Sequence, residues 1–269
     1  MRKSLLSLAV LATLAVPTLS FADEAAAPAA PAAAAPAPAN QVTYNVGLFS
    51  QYIFRGLTQT ANKPAIQGGV DYANPNGFYL GTWGSNISWL EDGGTYTNSS
   101  LEWDLYGGYR GAIKDVTYDV GLLQYVYPGS INPGFTRAET TEVYGALSYK
   151  WVTAKLSVAA SSSVFGTRDA SGTYYADITA NYPITDTITA TAHVGRQQYT
   201  GGTSGNASND SLYSYTDWKL GVSKAFADGV TVGAYYTDTN GKDLAAYKTG
   251  YVGGNIANAQ GTIYVQKTF

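Results

Sequence analysis

The chain has 269 residues, a formal net charge of −3 and only 13% charged residues, about half the share expected of a soluble globular protein. So few charges cannot cover a soluble outer face, and with no clustered Lys or Arg to neutralise phosphates, nucleic acid is excluded as a partner. The absence of cysteine rules out disulfides, thiolate catalysis, Cys-ligated zinc and a lipid-anchored N-terminal cysteine.

Arg2 and Lys3 precede an apolar run from Leu5 to Val16, and Ser20-Phe21-Ala22 suits a signal peptidase. Residues 1–22 are therefore expected to be a cleaved secretion signal, since about a dozen apolar residues fall short of the ~20 that span a bilayer. Residues 23–40 are almost entirely Ala and Pro, a composition that cannot form a core and that reads as a periplasmic spacer. The remainder, 41–269, contains no apolar stretch near 18 residues.

From Gln41 the sequence alternates. Val42, Tyr44, Val46, Leu48, Tyr52 and Phe54 are expected on one side of a strand running to Arg55, with Gln41, Thr43, Asn45, Gln51 and Arg55 on the other. The same period-two pattern recurs in twelve segments. Among them are 64–73, 78–89, 101–110, 116–122 and 257–269, with apolar residues on one face and the charges on the other. Connections after even-numbered segments are short (Asn74–Gly77, Ala112–Asp115, Lys150–Val152, Pro183–Asp186, Ala227–Gly229), and those after odd-numbered segments are long and polar. An even strand count with alternating turns and loops predicts an all-β, up-and-down antiparallel transmembrane barrel in the outer membrane of a Gram-negative bacterium. A soluble sandwich would place the apolar face inward instead. The chain ends Ile263-Tyr264-Val265-Gln266-Lys267-Thr268-Phe269, which resembles the C-terminal strand signal read by the outer-membrane assembly machinery, although Lys267 departs from it. The partners expected are outer-membrane lipid and lipopolysaccharide, that assembly machinery through Phe269, and small solutes.

The segments Gln51-Tyr52-Ile53-Phe54-Arg55-Gly56-Leu57-Thr58-Gln59-Thr60, Lys63–Tyr72 and Gly77–Asn86, supported by Glu102–Tyr109, resemble a bacterial family designated as porins and sometimes labelled TorF. The resemblance implies an outer-membrane barrel with a channel role and carries over no catalytic or substrate residues.

The expected inner face carries Arg55, Asp71, Glu102, Asp104, Arg110, Asp119, Glu142, Lys155, Asp177, His193, Asp217 and Lys219 as pore-lining residues. Lys150 joins them, and so does Arg196 if it turns inward against its parity. Such mixed charges line a water-filled pore or pair into a plug across a narrow lumen. Twelve strands fall between the filled eight-stranded barrel and the open sixteen-stranded one, so a restricted pore for small solutes is favoured. A structural or adhesive barrel without a pore is the alternative. His193 shares its face with Ser157, Ser161 and Ser223, but no local signature ties them into a hydrolase, and no cofactor is called for. Asp238–Asp243 spaces oxygen ligands like the start of a calcium loop, yet lacks the distal Glu and carries Lys242.

Overall fold

A computed structural model describes residues 39–202, 207–248 and 250–269; the secretion signal and nearly all of the Ala/Pro spacer lie outside the described residues. Fourteen strands form in chain order: β1 Gln41–Phe49, β2 Ile53–Phe54, β3 Leu57–Thr58, β4 Ala65–Ala73, β5 Phe78–Asn86, β6 Leu101–Ile113 and β7 Val116–Val126. They continue with β8 Thr140–Tyr149, β9 Val152–Ala159, β10 Tyr174–Pro183, β11 Ile188–Gln198, β12 Tyr215–Ala225, β13 Val230–Thr239 and β14 Gln260–Thr268. Twelve of them pair antiparallel with their chain neighbours, and β1 closes on β14 to give a barrel, while β2 and β3 form a separate hairpin.

Alternation sets the facing. On β6 the burial pattern pairs buried Glu102, Asp104, Tyr106 and Arg110 with exposed Leu101, Trp103 and Leu105. The large exposed apolar side chains of the other strands, such as Val120, Leu147, Leu156, Leu220 and Ile263, continue one outward band. Exposed aromatics mark its edges: Phe78, Tyr149, Trp151, Tyr182 and Phe226 near the short turns, Trp103, Trp218 and Tyr236 toward the long loops. Among the described strand residues, outward-facing charges occur only near these ends, at Arg196, Lys224, Asp238 and Lys267. Strands of 8 to 13 residues match the height of such a band.

Inside, glycines are docking points for tyrosines on neighbouring strands. A Cβ added to Gly195 would lie 1.9 Å from the Tyr175 hydroxyl, one on Gly233 2.4 Å from that of Tyr264, and one on Gly121 2.5 Å from that of Tyr144. The rings occupy the volume that any side chain there would need, which lets a 12-strand wall be lined by large aromatics. Gly195→Ala should therefore destabilise the barrel by about 1–3 kcal/mol through overpacking. Gly145→Ala, whose Cβ meets nothing nearer than Val120 Cγ1 at 4.0 Å, should be near neutral. Unfolding midpoints in denaturant for the two variants in lipid vesicles check this, and equal values would mean that Tyr175 swings away freely.

Several segment boundaries differ from expectation, and three of them bear on the long-loop end of the barrel. The segment expected to run from Phe78 to Trp89 ends at Asn86, where Trp89–Asp92 forms a single helical turn, and the last strand begins at Gln260 rather than Ala257. The first strand stops at Phe49 instead of reaching Arg55. There Ser50 leaves the wall, its N–H donating to Ile263 O at 2.9 Å and its hydroxyl 2.9 Å from Thr262 Oγ1.

Candidate functional site

From Ser50 the chain turns into the barrel. Tyr52 and Phe54, expected on the outer face with Leu48, are instead 0% and 8% exposed within the lumen. Ile53 pairs with Thr58 and Phe54 with Leu57, leaving Arg55-Gly56 as a two-residue turn with φ of +44° and +79°. Two positive φ values are the signature of a type I′ hairpin turn, and Gly56 suits the second position. A Cβ on Gly56 would also lie 2.9 Å from Asp217 Cβ, so the tip touches the wall.

Arg55 is thus not a wall residue. It rides on the tip of this plug and reaches across the lumen, where Nη1 and Nη2 donate to the two carboxylate oxygens of Glu142 on β8 at 3.0 and 2.9 Å. Nη1 also donates to Gln197 Oε1 on β11 at 2.8 Å. The guanidinium stands 4.7 Å from the Phe54 ring centre and 4.3 Å from that of Tyr175 on β10. A forked, ring-flanked arginine against a carboxylate has the geometry that holds a guanidinium most firmly out of water. Other contacts ring the plug. Tyr52 donates to Glu102 on β6 at 2.8 Å, Gln51 Nε2 to Gly261 O at 2.9 Å, and Gln260 Nε2 on β14 to Gly56 O at 3.0 Å.

Below the plug the remaining charges are engaged with one another or with tyrosines. Arg110 Nε donates to Asp119 at 3.0 Å and its guanidinium lies 4.2 Å from the Tyr79 ring. Tyr79 donates to Asp119 at 2.5 Å and is also hydrogen-bonded to Tyr144, while Tyr106 donates to Asp71 at 2.6 Å. His193 is buried; its Nε2 is 2.9 Å from the Tyr175 hydroxyl and its Nδ1 2.7 Å from Thr179 Oγ1, with Asp217 and Asp177 at 3.4 and 3.8 Å. Asp104 is fully buried, and the Lys155 and Lys219 ammonium groups lie over the Tyr144 and Tyr235 rings at 4.9 and 5.4 Å. Seven carboxylates (Asp71, Glu102, Asp104, Asp119, Glu142, Asp177, Asp217) thus share the interior with four permanent cations (Arg55, Arg110, Lys155, Lys219).

Two expected inner-face residues lie elsewhere. Lys150 is exposed in the β8–β9 turn at φ +54°. Arg196 keeps its outward parity at the long-loop end, where Nη2 donates to Gln198 at 3.0 Å and lies 3.9 Å from Asp210; the strand alternation decides its side, and polar neighbours at the rim satisfy it. In the Asp238–Asp243 stretch, Lys242 Nζ donates to Asp238 Oδ2 at 2.6 Å, so the chain supplies its own cation there. Among the described residues no cluster of three or more His, Cys, Asp or Glu is arranged to hold a metal.

Tyr52 and Phe54 continue the alternation of β1, which hides the plug from a period-two reading. The signal that marks it is Arg55-Gly56 between the short β-forming pairs Ile53-Phe54 and Leu57-Thr58, a hairpin spacing.

The structure aligns with KdgM porin at a TM-score of 0.51 and 8% identity, over 85% of this chain and 98% of that one. NanC porin aligns at a TM-score of 0.48 and 12% identity, over 85% and 99%. At 8% identity the likeness to KdgM porin is one of fold. No curated protein matches the sequence. A family model described as a bacterial protein of unknown function (Gcw_chp) matches residues 33–269, and the chain belongs to that family.

Proposed function

We infer that the protein is an outer-membrane channel for passive movement of small solutes or ions, restricted by the plug centred on Arg55. The observation that carries this reading is the pairing of an outward apolar band with a charged, tyrosine-lined interior in one closed barrel. A strand edge in lipid would leave backbone groups unsatisfied, and closure removes it. The porin structures that share the fold and the TorF-like sequence resemblance support the same reading. Lipid and lipopolysaccharide would contact the band, and the strand ending in Phe269 would be the segment that the assembly machinery reads. Both ring nitrogens of His193 face hydroxyls of Tyr175 and Thr179, which favours a structural role over a hydrolytic one.

Recording current from the refolded mature chain in planar bilayers tests this. Discrete ohmic steps are expected; silence at high protein occupancy would favour the structural or adhesive barrel. The carboxylate excess should make the open channel cation-selective. Lys155→Glu should raise the cation-to-anion permeability ratio further, by about twofold, because a lumen charge acts on permeating ions through low-dielectric walls. An anion-selective wild type would show that the paired carboxylates are hidden from the ion path.

A further inference from the structure

The long connections all send side chains to one place. A cavity of ≈ 620 Å³, part of it open to solvent, lies directly on the plug. Phe54, Trp89, Tyr127, Phe165, Tyr199 and Tyr247 supply one aromatic ring from each of the six long connections. Its aromatic lining, closed in by six loops, suits a small ring system better than bulk water. Among the described residues, no Asp, Glu, Lys, Arg or His lines it. Burial pushes the Tyr251 phenol up to about 12 and that of Tyr247 well above the ordinary phenol range, so these two add no charge near neutral pH.

Its polar groups are neutral, and three of them are engaged within the protein. Gln59 Nε2 donates to Leu57 O at 3.0 Å, Gln197 Oε1 accepts from Arg55, and Tyr247 donates to Tyr213 O at 2.7 Å. An ion would lose its hydration with no countercharge to replace it. Flat ring faces are what these walls match. The Trp89 indole N–H beside the cavity is buried with no acceptor among the described residues, and a ring oxygen would satisfy it once the indole turns toward the bound solute.

We propose that the outer mouth is a binding site for an uncharged, planar aromatic solute of one or two rings bearing an acceptor oxygen. That this solute is cargo rests on the channel reading above; that it binds does not. The site floor includes Phe54, whose ring also packs against Arg55, so the bound solute rests on the element that fills the lumen.

The probe is 7-methoxycoumarin, titrated by its fluorescence against the full mature chain in lipid nanodiscs. Its 4-acetate anion and maltose serve as competitors. Saturable binding is expected, weakened about tenfold or more by filling the cavity with Ala246→Trp and about threefold by Trp89→Phe, which keeps the ring and removes the donor. Neither competitor should displace the probe. Identical titrations for wild type and both variants would mean partition into lipid, and displacement by maltose or by the anion would mean a different ligand class; either result overturns the proposal. Binding with silent bilayers would sink the channel and leave the site standing, whereas conduction without binding would sink the site alone.

Discussion

Replacing Ser50–Pro64 with a tight Asn-Gly turn should raise single-channel conductance about fivefold or more, because twelve strands enclose more space than side chains alone fill. The graft is geometrically mild, since Phe49 and Ala65 are already register partners on β1 and β4 and need only a short connection. It also removes Arg55 together with its partner's confinement, so Glu142 faces water instead of standing buried and unpaired. Arg55→Ala acts differently. With the plug still inserted, it strands Glu142, which is 2% exposed, and breaking a buried pair from one side costs about 3–5 kcal/mol. That cost is relieved if the plug leaves and water enters, so the variant should flicker between low and high conductance, and Arg55→Ala/Glu142→Gln should flicker less. An unchanged conductance in the turn graft would show that the tyrosines and charge pairs below the plug close the lumen by themselves.

How much of this was legible in the sequence depends on how local the deciding contact is. Side-chain facing on β6 follows from period two alone, because Glu102, Asp104 and Arg110 cannot share a face with Leu101 and Leu105 when one side is apolar. Arg196 shows the strength of that rule: its parity points outward and the structure keeps it there. The plug is the opposite case. Residues 51–58 fit an extended strand as well as a hairpin, and what selects the hairpin is a set of contacts to β6, β8, β11 and β14, with |i−j| up to 211 at the Thr262–Gln51 bond. The glycine sockets were legible only as unexplained glycines, since naming the ring that fills each needs the register between strands. The aromatic mouth was equally distributed, with one or two rings in each of six separate loops whose convergence exists only once the barrel closes.

The facing itself sets the other large effect. Leu156 sits outward in the middle of β9, 46% exposed, with Gly145 and Ala176 as its cross-strand partners. If that face meets hydrocarbon, Leu156→Arg should cost about 2–4 kcal/mol in lipid vesicles. Neither small neighbour offers the guanidinium an acceptor, and the strand ends are three or four residues away. Arg196 is the internal comparison, an outward arginine that is tolerated because Gln198 and Thr216 at the rim accept from it. Spin labels separate this from a simple loss of packing. Labels at Leu105, Leu156 and Leu220 should be relaxed by oxygen dissolved in the bilayer, and labels at Lys155 and Lys219, one residue away and inward, should not. Adding a water-soluble relaxation agent should reach Lys155 and Lys219 more strongly once the Ser50–Pro64 segment is replaced by the turn, since that segment stands between them and the outer mouth. Were the Leu sites shielded from oxygen and Leu156→Arg neutral in vesicles, the apolar band would be covered by protein rather than lipid, and the membrane channel would have to be abandoned with it.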